Sequence, residues 1–122
     1  MKTSYFSKSA ATPGAICISR YPPKFWSSLC YKKLAPADYM IRQPSFEKTR
    51  QLYYEKVLGV LDPEIVYAEL VSISEPYEPI LLCYEKKRSE CHRGFVSEWF
   101  KTSLDITVEE VGEDKSPQMR LF

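Results

Sequence analysis

Long apolar runs are missing from this chain. No stretch approaches the roughly 20 consecutive apolar residues of a bilayer-spanning helix, so no membrane partner is expected. The opening residues "MKTSYF" carry one lysine and no apolar h-region, which gives no secretory signal and points to a cytoplasmic location. Glycine is scarce, at 4 residues in 122. None of them builds a phosphate loop or a dinucleotide fingerprint, so the glycine-rich nucleotide cradles are excluded. Charge of one sign is also lacking: 17 Lys+Arg against 16 Asp+Glu leave a net +1. That balance removes an overall basic nucleic-acid footprint and leaves room only for a local patch. Histidine occurs once, at His92.

What remains is enough for one packed domain. The length falls at the usual size of a single domain, and 44% hydrophobic with 14% aromatic residues supplies a core rather than a disordered chain. Nine tyrosines bring apolar rings with polar tips, which suit a core that meets a wet cleft and also suit base stacking. Cys17, Cys30, Cys83 and Cys91 are even in number. Cys17 and Cys83 lie inside apolar strand-like runs, however, so all four are expected as free thiols.

Two buried strands stand out, "AICIS" at 15–19 and "ILLCY" at 80–84. Both are near-continuous apolar runs, as expected for strands covered on two faces. "KTSYF" at 2–6 reads as another strand, and "DITVEEV" at 105–111 alternates as a strand should. Between them, Ser45 caps a helix over "FEKTRQLYYEKVLGVL", with Phe46, Tyr53, Val57, Val60 and Leu61 at helical spacing. Asp62-Pro63 starts a second helix, "EIVYAELVSI", which ends before Pro76. "CHRGFVSEWFKTSL" is a third, with Phe95, Val96, Trp99, Phe100 and Leu104 toward the core. Pro36 is a plausible start for a further helix in the mixed segment 27–42. Strands alternating with helices give an α/β, Rossmann-like domain over residues 1–111: three layers, a mostly parallel sheet, and helices on both faces. Residues 112–122 form a tail.

Ligands on such sheets bind beyond the carboxyl ends of the strands. Arg20 after one buried strand and Glu85 after the other should therefore share a cleft with the helix start at Cys91–Arg93. A helix N-terminus favours anions, and Arg93 in its first turn would add a bidentate clamp. The same field activates a cysteine, so Cys91 is a candidate nucleophile, with His92 as base and Glu85 orienting it. A structural use of the same residues is equally compatible, with Cys91 at the cap, His92 solvated and Arg93 paired to Glu85 or Glu90. No metal and no cofactor are expected: seven residues separate Cys83 from Cys91, and adjacent Cys91 and His92 do not readily face one ion. Cys83 reads as core. Glu109 and Glu110 are adjacent on a strand and point to opposite faces, which makes them poor acid–base partners.

The tail ends in "QMRLF" (Gln118–Phe122), which resembles the peptide that docks bacterial replication and repair proteins on the sliding clamp. In that peptide the apolar pair fills a pocket and the glutamine sets register, here Leu121, Phe122 and Gln118. A tail folded back over an apolar patch is the alternative.

"TSYF" at 3–6, "ISR" at 18–20 followed by prolines, "LAP" at 34–36, "CYEK" at 83–86 and "CHR" at 91–93 together resemble the domain-of-unknown-function 488 family. The likeness covers Lys2 to about Val111, and "CYEK…CHR" is its most specific part. It implies a bacterial or phage protein and brings no established activity. Residue by residue it implies a site at Arg20, Glu85, Cys91, His92 and Arg93, with Tyr5 beside them. Many members carry an aspartate before the arginine, where this chain has Ile18-Ser19. The resulting expectation is a protein of nucleic-acid metabolism that binds a nucleotide or nucleic-acid phosphate and is recruited to the clamp. A cysteine-dependent enzyme and a non-catalytic adaptor are the alternatives.

Overall fold

A computed structural model describes residues 1–112. Its centre is a five-stranded, all-parallel sheet in the order β3-β2-β4-β1-β5. The strands are β1 (Lys2–Tyr5), β2 (Ala15–Cys17), β3 (Leu29–Cys30), β4 (Ile80–Cys83) and β5 (Glu109–Glu110). The two apolar runs read from the sequence, β2 and β4, lie side by side in the middle, with Ala15 opposite Ile80 and Cys17 opposite Leu82. β4 pairs on its other side with β1, where Tyr5 meets Cys83. Every residue of β2 and β4 is buried, as the absence of polar alternation requires.

The helices are α1 (Phe6–Ser9), α2 (Asp38–Ile41), α3 (Phe46–Lys56), α4 (Pro63–Ser74) and α5 (His92–Leu104). Alternation along the strands sends Ile16, Ile18 and Leu81 to one face, into a core with Tyr53, Leu70, Val96 and Phe100 from α3, α4 and α5. Ala15, Cys17, Ile80 and Leu82 point the other way. That second face is covered thinly, by Phe6 of the one-turn α1 with Trp26 and Val111 packed alongside. The three layers are thus unequal, one built of three long helices and the other of a single turn and a loop. Each fully buried Leu or Ile contributes roughly 1.5–3 kcal/mol, so most apolar stabilisation lies on the thick side.

The caps follow the sequence. Ser45 Oγ accepts from the Lys48 amide at 3.2 Å, and Asp62 Oδ1 accepts from the Glu64 amide at 2.9 Å with Pro63 in the first turn. Other boundaries move. α3 stops at Lys56 and gives way to a 3₁₀ turn at Leu58–Val60, which leaves Val60 74% exposed while Tyr53 is fully buried. The strand expected over 105–111 shrinks to Glu109–Glu110, because Asp105 takes a left-handed conformation (φ 55°) that closes α5 and delays the return to extended backbone. No helix among the described residues is long and apolar enough to cross a membrane. Gln118, Leu121 and Phe122 lie outside the described residues.

Candidate functional site

From β2 the chain continues outward to β3, and from β4 it eventually continues outward to β5 on the opposite side. The crevice between β2 and β4 is therefore the point where the sheet order reverses, the usual ligand position of open α/β sheets. A cavity of about 430 Å³ opens there, lined by Ser19, Arg20 and Tyr21 after β2 and by Cys83, Tyr84 and Glu85 at the end of β4. The N-termini of α5 (Cys91, His92) and α3 (Ser45, Phe46) close its sides, and Phe95 and Pro36 add apolar wall.

Arg20, Glu85, Cys91 and His92 thus border one cavity, although they stand up to 72 positions apart in the chain (20 to 92). Arg20 is loosely held: its Nε is 3.8 Å from Asp38 and its side chain is about half exposed. Ser19 lies beside it, and the Ser19 Oγ is buried with no hydrogen-bond partner among the described residues. An orphaned buried hydroxyl costs about 1–3 kcal/mol, and Ser19 is among the residues that line the cavity. Sequence reasoning passed over Ser19, Tyr21 and Tyr84, although the strand-end rule that found Arg20 and Glu85 applies to their neighbours as well.

Arg93 is different. It was expected to clamp a ligand anion, but it is fully buried beneath the site. Its Nε and Nη2 grip the Glu110 carboxylate at 3.0 and 2.8 Å, while the carbonyls of Glu85 and Lys86 accept from Nη1 and Nη2 at 2.5 and 2.9 Å. The partner is neither Glu85 nor Glu90 but Glu110, which β5 carries to this position through its pairing with β1. Thr3 Oγ1 donates to the same carboxylate at 2.7 Å. Tyr5, the other expected ligand contact, does not line the cavity; its ring lies 5.8 Å from the Arg93 guanidinium carbon.

The cysteines also depart from expectation. Cys83 and Cys91 are not free thiols; their sulfurs are joined as a disulfide across the β4–α5 joint, with the Cα atoms 7.1 Å apart. Cys83 is therefore part of the site and not only core. Cys17 and Cys30 are free, the first buried and the second exposed. His92 is held from an unforeseen side: its Nε2–H donates to the Ile18 carbonyl at 2.8 Å. With Nε2 protonated, Nδ1 presents its lone pair 3.8 Å from Cys91 Sγ. The orienting group is thus the carbonyl of Ile18, the residue after β2, rather than Glu85. Desolvation lowers the His92 pKa to about 4, against a partial opposing pull from the Ile18 hydrogen bond, so the ring is neutral at pH 7.

Set beside known proteins, the chain matches no family model, no curated protein and no solved structure. Fold and site alone define its class, a small α/β protein with an all-parallel sheet and a Cys–His–Arg–Glu cavity at the switch point.

Proposed function

We propose that the cavity binds a nucleotide, or the phosphate-bearing end of a nucleic acid, in a protein of the domain-of-unknown-function 488 family. The observation that carries this reading is the half-exposed, loosely held Arg20 at a cavity rimmed by two helix N-termini, with Ser19 beside it in the lining. Phosphate suits that end. Phe46 and Phe95 offer an apolar wall to a base, and the Glu85 and Glu90 carboxylates accept hydrogen bonds from sugar hydroxyls or an exocyclic amine. A bare inorganic anion fits less well, because those two carboxylates would repel it. Binding is read by thermal shift with a nucleoside monophosphate panel and with phosphate alone. Stabilisation by a nucleotide, reduced in Arg20→Ala and in Ser19→Val, is the expected result. A flat response across the panel would leave a non-catalytic adaptor as the better reading.

The second half of the proposal is recruitment through Gln118, Leu121 and Phe122. Deleting 118–122 should abolish capture by a purified sliding clamp; unchanged capture would end that half.

A cysteine-dependent enzyme is favoured by one contact, the approach of Cys91 Sγ to His92 Nδ1. In that reading the neutral imidazole takes the Cys91 proton once the bond to Cys83 is open.

A further inference from the structure

We infer that the joint between β4 and α5, once its two cysteines are reduced, is a binding site for Zn²⁺ formed by Cys83 Sγ, Cys91 Sγ and His92 Nδ1, with the fourth position open to the cavity. The three donors lie within 4.8 Å of one another, on residues that the sequence separates or crowds too closely to suggest a site. Spacing in the chain misled here. Cys83 ends a strand, the chain makes a loop of seven residues, and Cys91 returns as the N-cap residue of α5 beside it. Adjacent Cys91 and His92 do face one point, because the first turn of α5 begins between them.

The Cys91–His92 distance suits an ion, and opening the S–S bond frees the second sulfur to take its place. Zn–S bonds of about 2.3 Å and Zn–N bonds of about 2.0–2.1 Å in a tetrahedral set put sulfur and nitrogen roughly 3.5 Å apart. Cys91 Sγ and His92 Nδ1 are 3.8 Å apart. The Cα separation of 7.1 Å between the cysteines lies beyond the ordinary disulfide span of about 4.4–6.8 Å, and an ion held between two thiolates matches that backbone better than a direct bond.

The surroundings are those of a ligand set. The Ile18 carbonyl holds the His92 ring by Nε2 and leaves Nδ1 unprotonated, the outer-shell contact that metal-binding histidines use. Arg93 Nη1 lies 3.3 Å from Cys83 Sγ, where a cation favours thiolate over thiol. Two thiolates and an imidazole select a borderline-soft divalent ion over Mg²⁺ or Ca²⁺. Three protein ligands with one side facing a cavity is the form of a catalytic rather than a structural zinc site. Glu85 and Glu90 border that open side and can accept from a bound water.

Reaching this state takes two electrons. A phosphine and one water convert the S–S bond to two thiols and give the phosphine oxide, and Zn²⁺ then displaces the two thiol protons to solvent. The inference is independent of the nucleotide reading, since its test uses metal alone.

The full chain is reduced with a phosphine, desalted without air, and titrated with Zn²⁺ against a chromophoric chelator and, separately, with Co²⁺. One equivalent of Zn²⁺ per chain is expected, with a thiolate-to-cobalt charge-transfer band and the intense visible bands of tetrahedral Co²⁺. Cys83→Ser and Cys91→Ser should each weaken binding about 10-fold or more and dim the charge-transfer band, and His92→Ala should weaken it by about 10-fold. Cys30→Ser should change nothing, and the oxidised chain should bind no ion. No stoichiometric binding by the reduced wild type, or binding that survives Cys83→Ser combined with Cys91→Ser, overturns the proposal. The cobalt spectrum is read on the wild type, so a variant that fails to fold does not shelter it.

Discussion

Arg93 commits all of its donors to the fold: Nε and one Nη2 hydrogen to Glu110, the others to Lys86, Glu85 and the Cys83 sulfur. Removing it leaves Glu110 buried beside Thr3 with no counter-charge, and breaking a buried pair in this way costs about 3–5 kcal/mol. Arg93→Met should lower the urea midpoint accordingly. Arg93→Lys should recover only part of the loss, because an ammonium has three donors and no fork to span carboxylate and carbonyls. If Arg93→Lys instead kept full stability and lost only ligand affinity, Arg93 would be a ligand clamp after all. The free cysteines give a second contrast. Burial pushes the Cys17 thiol up to about 11, against a smaller opposing contact from the Ser19 carbonyl, while Cys30 is exposed on β3. At pH 8 iodoacetamide should label Cys30 in the native chain and reach Cys17 only after denaturation. Rapid native labelling of Cys17 would show that the thin second layer opens readily.

At the scale of elements, the turn into α5 is closely packed at Gly94. A Cβ on Gly94 would stand 2.5 Å from the Arg88 carbonyl oxygen, which belongs to backbone and cannot swing away. Alanine in a helix is worth about 1 kcal/mol over glycine, whereas forcing extra atoms into packed structure costs typically 1–3 kcal/mol. The clash should win, so Gly94→Ala should lower Tm; a raised Tm would mean that the Arg88 turn yields freely. The same joint shows what the sequence could and could not display. β2, β4 and the buried face of α5 were legible because continuous apolar runs and helical spacing are local signals. Their strand ends then placed Arg20 and Glu85 on one cavity by topology alone. β3 was not legible, since two residues carry no period, and neither was the one-turn α1 at the end of "KTSYF". Arg93 was misread because its true partner, Glu110, comes from a strand whose position beside β1 no local pattern announces. Cys83 was misread because a strand's last residue belongs both to the core and to the cleft beyond it.

At the scale of the whole molecule, the β3 edge of the sheet is tied by side-chain contacts as well as by pairing. β3 contributes only two residues, and the segment after it is tied to α4 by the Tyr31 hydroxyl, which donates to Glu69 at 2.5 Å, and by Lys33 at 3.0 Å. The Tyr31 hydrogen bond, then Lys33, hold the Glu69 carboxyl below its ordinary 4.5. Lys101 likewise lowers Asp105 at the closing turn of α5, first through its hydrogen bond and then through its charge. Each group binds a proton more readily in the unfolded chain than in the folded one. Their contribution is therefore complete above the unfolded pKa and is lost as pH falls through the folded value. Asp105 is exposed and Glu69 only partly covered, so each effect is small and salt-sensitive. Tm followed from pH 6 down to pH 3 should stay level at first and then fall below about pH 4.5, the ordinary glutamate value. Glu69→Gln should soften that fall, and it should also raise amide exchange at Tyr31, whose N–H donates to the Cys17 carbonyl across the β2–β3 edge. Exchange at Tyr31 unchanged by Glu69→Gln would mean that backbone pairing alone keeps β3 in the sheet. In that case the β3 edge of the sheet would not depend on the Tyr31–Glu69–Lys33 tie.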